Sequence, residues 1–101
     1  MPFVKVATVD QLPEGAAAEL ELGGKKIGLF NVGGKFYAID NLCPHRGAPL
    51  SDGYCEGTDV VCPLHSAKFD LCTGLNKTPP AKSPVKTYRT QVTGVDLEVE
   101  L

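Results

Sequence analysis

The fold of this chain is decided by two short segments, CPHRGAPL at residues 43–50 and CPLHSAKFD at residues 62–70. Each holds one cysteine, a proline directly after it and one histidine, namely Cys43 with His45 and Cys62 with His65. The proline fixes φ, which stiffens the turn in which the thiolate and the imidazole stand. Two such turns facing each other would offer two sulfur and two nitrogen ligands to one shared centre.

The order of these ligands bears on which centre they form. A mononuclear zinc site can use two Cys and two His, but zinc modules usually take a cysteine pair from one knuckle and a histidine pair from another. Here cysteine and histidine alternate, with residues 46–61 between the two turns. Alternation favours a two-iron cluster in which one iron has two thiolates and the other has two imidazoles. A zinc site, and four core residues without a metal, remain the alternatives.

With the following Thr73-Gly74, these segments resemble a Rieske iron–sulfur domain, most closely over residues 41–74. The resemblance implies an all-β fold, in which an antiparallel β-sandwich carries a small, loop-rich cluster-binding subdomain at about residues 41–84. Residues 1–101 would then form a single domain with one [2Fe–2S] cluster per chain. The implied ligands of the cluster are Cys43, His45, Cys62 and His65.

Alternating apolar residues near residues 3–7, 19–22 and 95–101, and a largely apolar run at residues 27–32, also predict strands. Glycine pairs at residues 23–24 and 33–34 should turn the chain, so that residues 19–22, 27–32 and 35–39 form a three-stranded meander. We also expect a C-terminal hairpin formed by residues 87–92 and 95–101. The buried face of the last strand should consist of Val95, Leu97, Val99 and Leu101. Helical signal is confined to residues 10–15, where Asp10 is the expected cap.

The charge balance and the residue counts disfavour several classes of function. The chain has 10 Lys+Arg against 12 Asp+Glu and no basic run, which argues against nucleic-acid binding. No segment approaches the roughly 18 apolar residues that a membrane span needs, and no secretory signal is visible, so we expect a cytoplasmic protein without a membrane partner. Both histidines are already assigned, which leaves none for a non-haem iron site or a Ser–His–Asp set. The chain is therefore expected to carry electrons and not to be an enzyme.

The ligand set also predicts the reduction potential. Neutral imidazoles in place of two thiolates make the cluster less negative, and so raise its potential above the value of about −400 mV of plant-type ferredoxins. In the high-potential branch of the family, a Ser and a Tyr hydroxyl donate hydrogen bonds toward cluster sulfur. Ala67 and Phe69 stand at those positions, and neither side chain can donate. We therefore predict a potential near the low end of the Rieske range, about −150 mV.

Within the family, the chain resembles the free-standing ferredoxins of ring-hydroxylating oxygenase systems. This resemblance implies a flavin-dependent NAD(P)H ferredoxin reductase as electron donor and a terminal oxygenase as acceptor. The alternative is a small iron–sulfur subunit of an oxidoreductase such as assimilatory nitrite reductase. Retention of all four ligand residues favours the carrier.

Partner docking is expected at the cluster tip, where an apolar rim would be formed by Arg46, Pro49, Leu50, Pro63, Leu64, Pro79 and Pro80. The alternative for these residues is that they only shield the cluster. Lys68 and Lys77 either steer an acidic partner or are simply solvated. Cys55 and Cys72 lie outside the paired turns and are expected to be small buried hydrophobes, with a disulfide between them as the alternative.

Overall fold

A computed structural model describes residues 3–42, 49–63, 67–77 and 84–100. Short 3-10 turns cover Val9–Gln11 and Leu50–Asp52. No helix in the described ranges is long and apolar enough to cross a membrane. The strands are β1 (Phe3–Thr8), β2 (Ala17–Leu22), β3 (Lys25–Val32), β4 (Lys35–Asp40), β5 (Tyr54–Glu56), β6 (Asp59–Val61), β7 (Lys68–Asp70), β8 (Thr87–Tyr88), β9 (Thr90–Thr93) and β10 (Asp96–Glu100).

The strands form three antiparallel sheets, ordered β1-β10-β9, β2-β3-β4-β8 and β5-β6-β7. The all-β prediction is confirmed, as is the three-stranded meander expected within residues 19–39. That meander is β2-β3-β4, and β8 joins it as a fourth strand.

The sheet β2-β3-β4-β8 is the middle layer of the molecule, because its two faces line two different cores. On β3, Leu29 packs into one core and its neighbour Phe30 into the other, as adjacent residues of a strand point to opposite faces. Burial on both faces explains why residues 27–32 read as an almost continuous apolar run. The core shared with the first sheet, here called the sandwich core, contains Leu12, Ile27, Leu29, Ala38, Tyr88, Leu97 and Val99. The core shared with the third sheet, here called the subdomain core, contains Phe30, Ile39, Leu50, Val60, Cys62, Ala67, Phe69, Leu71 and Val85.

The C-terminal hairpin departs from the sequence prediction at its turn. Leu97 and Val99 are fully buried as expected, but Val95 is 62% exposed. Asp96 pairs with Thr93, so Gly94 and Val95 form the two-residue connection and Val95 is not on the strand. Leu101 lies outside the described residues.

Residues 87–92 form two strands in two sheets, where the sequence predicted one. Tyr88 pairs with Ala38 of the middle sheet, whereas Thr90 pairs with Val99 of the first sheet. The chain changes sheets at Arg89. Tyr88 is buried in the sandwich core, and the hydroxyl of Thr90 still donates to the carbonyl of Phe36 on β4 at 2.8 Å, which holds the two sheets together at this point.

The expected helical turn is short and begins earlier than predicted. It covers Val9–Gln11, and the Gln11 side chain accepts a hydrogen bond from the backbone N–H of Thr8 at 3.0 Å. Asp10 therefore lies inside the turn, and its prediction as the cap is wrong.

Candidate iron–sulfur site

The first of the two ligand turns has a closed base. Leu42 and Pro49 form an antiparallel bridge, and the N–H of Leu50 donates to the carbonyl of Asn41 at 2.7 Å. These contacts bring the two ends of the turn together. Residues 43–48 themselves, and with them Cys43 and His45, lie outside the described residues.

The second turn connects β6 to β7 and is closed at its base in a similar way. The N–H of Cys62 donates to the carbonyl of Ala67 at 2.7 Å, and both residues are buried. Of the four expected ligands, Cys62 is the one within the described ranges; His65 lies outside them.

Both turns arise from the same core. Leu50, which follows the first turn, and Cys62, which begins the second, both belong to the subdomain core. A cysteine that packs among apolar side chains, at the closed base of the second turn, fits the thiolate ligand of a shielded iron–sulfur cluster. The assignment of all four ligands stays a prediction.

Two ion pairs lie on the third sheet, one between two of its strands and one between a strand and the segment after β7. Lys68 on β7 pairs with Glu56 on β5 at 2.6 Å, and the hydrogen bond to this carboxylate raises the pKa of Lys68. Lys77 contacts both carboxylate oxygens of Asp59 on β6 at 3.0 Å. These pairings give both lysines a role within the subdomain, and their steering of a partner stays a prediction.

Two of the residues expected to control the potential are fully buried. Ala67 and Phe69 have no exposed surface and lie in the subdomain core. Neither carries a polar side-chain atom, so neither can donate a hydrogen bond toward the second turn. This environment supports the expectation of a low potential.

The prediction of an apolar docking rim is wrong for Leu50. This side chain is completely buried and anchors the base of the first turn. Pro49 is half-buried and Pro63 exposed, which leaves both available to a partner. The other proposed rim residues lie outside the described ranges: Arg46, Leu64, Pro79 and Pro80.

The prediction that Cys55 and Cys72 are buried is also wrong. Both are exposed, and neither is in a disulfide. Cys55 lies on β5, an outer strand of the small sheet whose three residues are all exposed, although partial burial still raises the pKa of its thiol. Cys72 lies in the turn after β7. It interacts with Tyr37, whose pKa is raised mainly by its burial and in addition by a hydrogen bond to Cys72.

Sequence reasoning missed Asn41, which is buried without any exposed surface directly before the first turn. Its side-chain amide makes hydrogen bonds to both Glu19 and Ser51. No local sequence signal marks Asn41, because its partner Glu19 is distant in sequence and the neighbouring Asp40 is polar as well.

Comparison with known proteins now identifies the class of protein. The Rieske [2Fe-2S] domain family matches residues 2–89, and the chain belongs to this family. It therefore binds one [2Fe–2S] cluster and acts as an electron carrier, as the closed turns and their shared core suggested.

The chain is similar over nearly its whole length to ferredoxin components. It is 41% identical over 90 residues to the ferredoxin component of the naphthalene 1,2-dioxygenase/salicylate 5-hydroxylase systems of Ralstonia sp, covering 89% of this chain and 86% of the relative. It is 45% identical to the 3-phenylpropionate/cinnamic acid dioxygenase ferredoxin subunit of Shigella flexneri serotype 5b (strain 8401), covering 100% of this chain and 95% of the relative. The solved ferredoxin of carbazole 1,9a-dioxygenase from Nocardioides aromaticivorans IC177 superposes with a TM-score of 0.92 at 35% identity, covering 98% of this chain and 97% of that one.

Proposed function

We propose that this protein is the ferredoxin of a ring-hydroxylating oxygenase system. It accepts one electron at a time from a flavin-dependent NAD(P)H ferredoxin reductase and delivers it to a terminal oxygenase. The observation that carries the proposal is the near full-length similarity to three ferredoxins that are each named as part of a dioxygenase system. The same observation favours this role over that of a nitrite reductase small subunit.

In this proposal the two turns would hold the cluster, with Cys43 and Cys62 as ligands of one iron and His45 and His65 as ligands of the other. When bound, the cluster would supply reversible one-electron chemistry, and its neutral imidazole ligands would make reduction easier than four thiolates would. The chain contributes two closed turns, an apolar surrounding and an exposed Pro63 at the second turn.

We also propose that residues 1–101 form one domain, with the cluster-binding subdomain at about residues 41–84. A cytoplasmic location belongs to the same proposal. It is supported by the free thiols of Cys55 and Cys72, since reducing compartments keep cysteines unpaired. Cell fractionation with a tagged chain tests this location.

The function is tested by reconstitution. Purified protein, prepared anaerobically, should contain two irons and two sulfides per chain and show the low average g value of a His-ligated cluster after dithionite reduction. Product formation by a ring-hydroxylating dioxygenase, supplied with NADH and a flavin-dependent ferredoxin reductase, should then depend on adding the protein. Turnover that does not depend on it with any tested oxygenase, together with stimulation of a nitrite reductase, would overturn the proposal.

A further inference from the structure

Asn41 is held by more hydrogen bonds than any other buried polar side chain of the described residues. Its Nδ2 donates to Oε2 of Glu19 at 2.7 Å and to Oγ of Ser51 at 2.8 Å, while its Oδ1 accepts from the N–H of Ser51 at 2.8 Å. Its backbone N–H donates to the carbonyl of Lys26 at 2.9 Å. A fully satisfied, buried amide of this kind fixes one arrangement of the chain around it.

The neighbouring strand makes room for this side chain. A methyl group on Gly28 would lie 2.4 Å from Oδ1 of Asn41 and 3.0 Å from Cε1 of Phe30. Because carbon and oxygen atoms do not approach so closely, only glycine at position 28 leaves the Asn41 amide where it is. Gly28 on β3 and Asn41 before the first turn therefore depend on each other, because the missing side chain leaves the space that the amide fills.

The contacts of Asn41 lie at the base of the first ligand turn, and the backbone from Ser51 to Gly53 connects this base to the second turn. Asn41 precedes the first turn, and Ser51 lies just after it, so their hydrogen bonds join its two ends. The 3-10 turn that contains Ser51 ends at Gly53, where a methyl group would lie 1.8 Å from the carbonyl oxygen of Val61. Val61 is followed directly by Cys62. The same short path therefore links the Asn41 amide to the start of the second turn.

We propose that Asn41 is a positioning residue, which sets the distance between the two cluster-binding turns through Ser51 and the space left by Gly28. This inference rests on the proposed ligand role of Cys43 and His45. Asn41 is not itself one of the proposed ligands; it fixes the base of the first turn, beside the bridge between Leu42 and Pro49. Loosening that base should change the geometry of the bound cluster and speed its loss.

The first test compares Asn41→Ala with Asn31→Ala in the protein loaded with its cluster. Asn31 is the matched control, because it too is a buried asparagine, with hydrogen bonds to the carbonyl of Leu12 and the N–H of Gly34, but it lies away from the ligand turns. We expect both variants to unfold at lower temperature. Only Asn41→Ala should change the EPR g values and lose iron to the ferrous chelator ferrozine at least tenfold faster.

Three further variants keep the test decisive if Asn41→Ala does not fold. Gly28→Ala should reproduce the altered EPR spectrum and faster iron loss, because the new methyl displaces the amide. Asn41→Asp places a second carboxylate beside that of Glu19 and removes the donor of their hydrogen bond. Adding Glu19→Gln to Asn41→Asp gives this pair of positions one donor and one acceptor again, with the net charge of the wild type. The double variant should recover at least half of the wild-type stability toward ferrozine.

Wild-type EPR spectra and wild-type rates of iron loss in both Asn41→Ala and Gly28→Ala would overturn the inference. So would equal effects of Asn41→Ala and Asn31→Ala on these two readouts. Failure of the proposed function is recognised separately, since it would appear as a wild-type protein without the spectrum of a His-ligated cluster.

Discussion

The hydroxyl of Tyr88 donates a hydrogen bond of 2.6 Å to Oδ1 of Asp40. Asp40 is the last residue of β4, shortly before the first ligand turn, and Tyr88 lies where the chain returns to the same sheet on β8. The backbone N–H of Asp40 also donates to the carbonyl of Lys86 at 2.9 Å. These contacts tie together the two ends of the proposed cluster-binding subdomain.

Replacing this hydroxyl should destabilise the fold. Tyr88 is 8% exposed and its partner is a carboxylate, so Tyr88→Phe is expected to lower the free energy of unfolding by about 1.5–3 kcal/mol. Urea unfolding measures the change. Tyr54→Phe is the control, because Tyr54 is 58% exposed. Equal stability of Tyr88→Phe and wild type would contradict the structural role of this bond.

The same tyrosine predicts a pH dependence. Burial, and then the hydrogen bond to Asp40, raises the pKa of Tyr88 above its ordinary value of 10.0. Below pH 10 the phenol is neutral in the folded and unfolded chains, so its contribution to stability is fully present. Above pH 10 the unfolded chain ionises first, and that contribution is lost as the pH rises toward the folded-state pKa. The stability difference between wild type and Tyr88→Phe should therefore shrink from pH 9 to pH 11.5; a constant difference would contradict the prediction.

The ligand assignment predicts which substitutions remove the cluster and which leave it in place. His45→Ala and His65→Ala should each abolish the native cluster, measured as bound iron and acid-labile sulfide and by EPR of the reduced protein. Cys55→Ser and Cys72→Ser are the controls and should keep the cluster, because both thiols are exposed and lie outside the two ligand turns. An unchanged EPR spectrum after either histidine substitution would reject that histidine as a ligand of the cluster.

The two turns and three of the four strands of the middle sheet were predictable because each is a local signal. Alternation, a largely apolar run and paired glycines indicate β2, β3 and β4, and the Cys-Pro pairs mark the turns regardless of the rest of the fold. The change of sheets between Tyr88 and Thr90 could not be predicted in this way. Both residues suit a strand, and only the packing of Tyr88 between two sheets distinguishes them.

Burial of single residues was harder to predict than the elements themselves. Leu50 looked like a rim residue because it follows a ligand turn, yet the 3-10 turn directs it into the subdomain core. Cys55 looked buried by residue type, yet it lies on an outer strand. The burial of Asn41 requires the space beside Gly28 and the hydrogen bond to Glu19, and both residues are distant in sequence. No local sequence pattern therefore predicts its hydrogen bonds.

The pairing of Lys77 with Asp59 predicts a small effect on partner binding. Lys77 is half exposed, with its ammonium group held between two carboxylate oxygens, so its charge is largely compensated. Lys77→Gln should lower the free energy of unfolding by less than about 1 kcal/mol. It should also leave the rate of electron transfer to the oxygenase within about twofold of wild type in stopped-flow measurements at low salt. A tenfold slower rate that becomes equal to wild type at high salt would instead assign Lys77 to steering.

The apolar character of Ala67 and Phe69 predicts the direction in which the potential can be tuned. The wild-type potential should lie near −150 mV, and a value above about +100 mV would contradict the reasoning. Ala67→Ser and Phe69→Tyr each introduce a donor at a position that supplies one in the high-potential branch of the family. Stabilising the more negative, reduced cluster should raise the potential, by an amount on the order of tens of mV for each hydroxyl, and the two rises should largely add. Val60→Thr is the control, because it introduces a hydroxyl into the same core, on the strand paired with β7. If potentiometric titration finds the same rise in all three variants, the polarity of the core and not a directed hydrogen bond controls the potential.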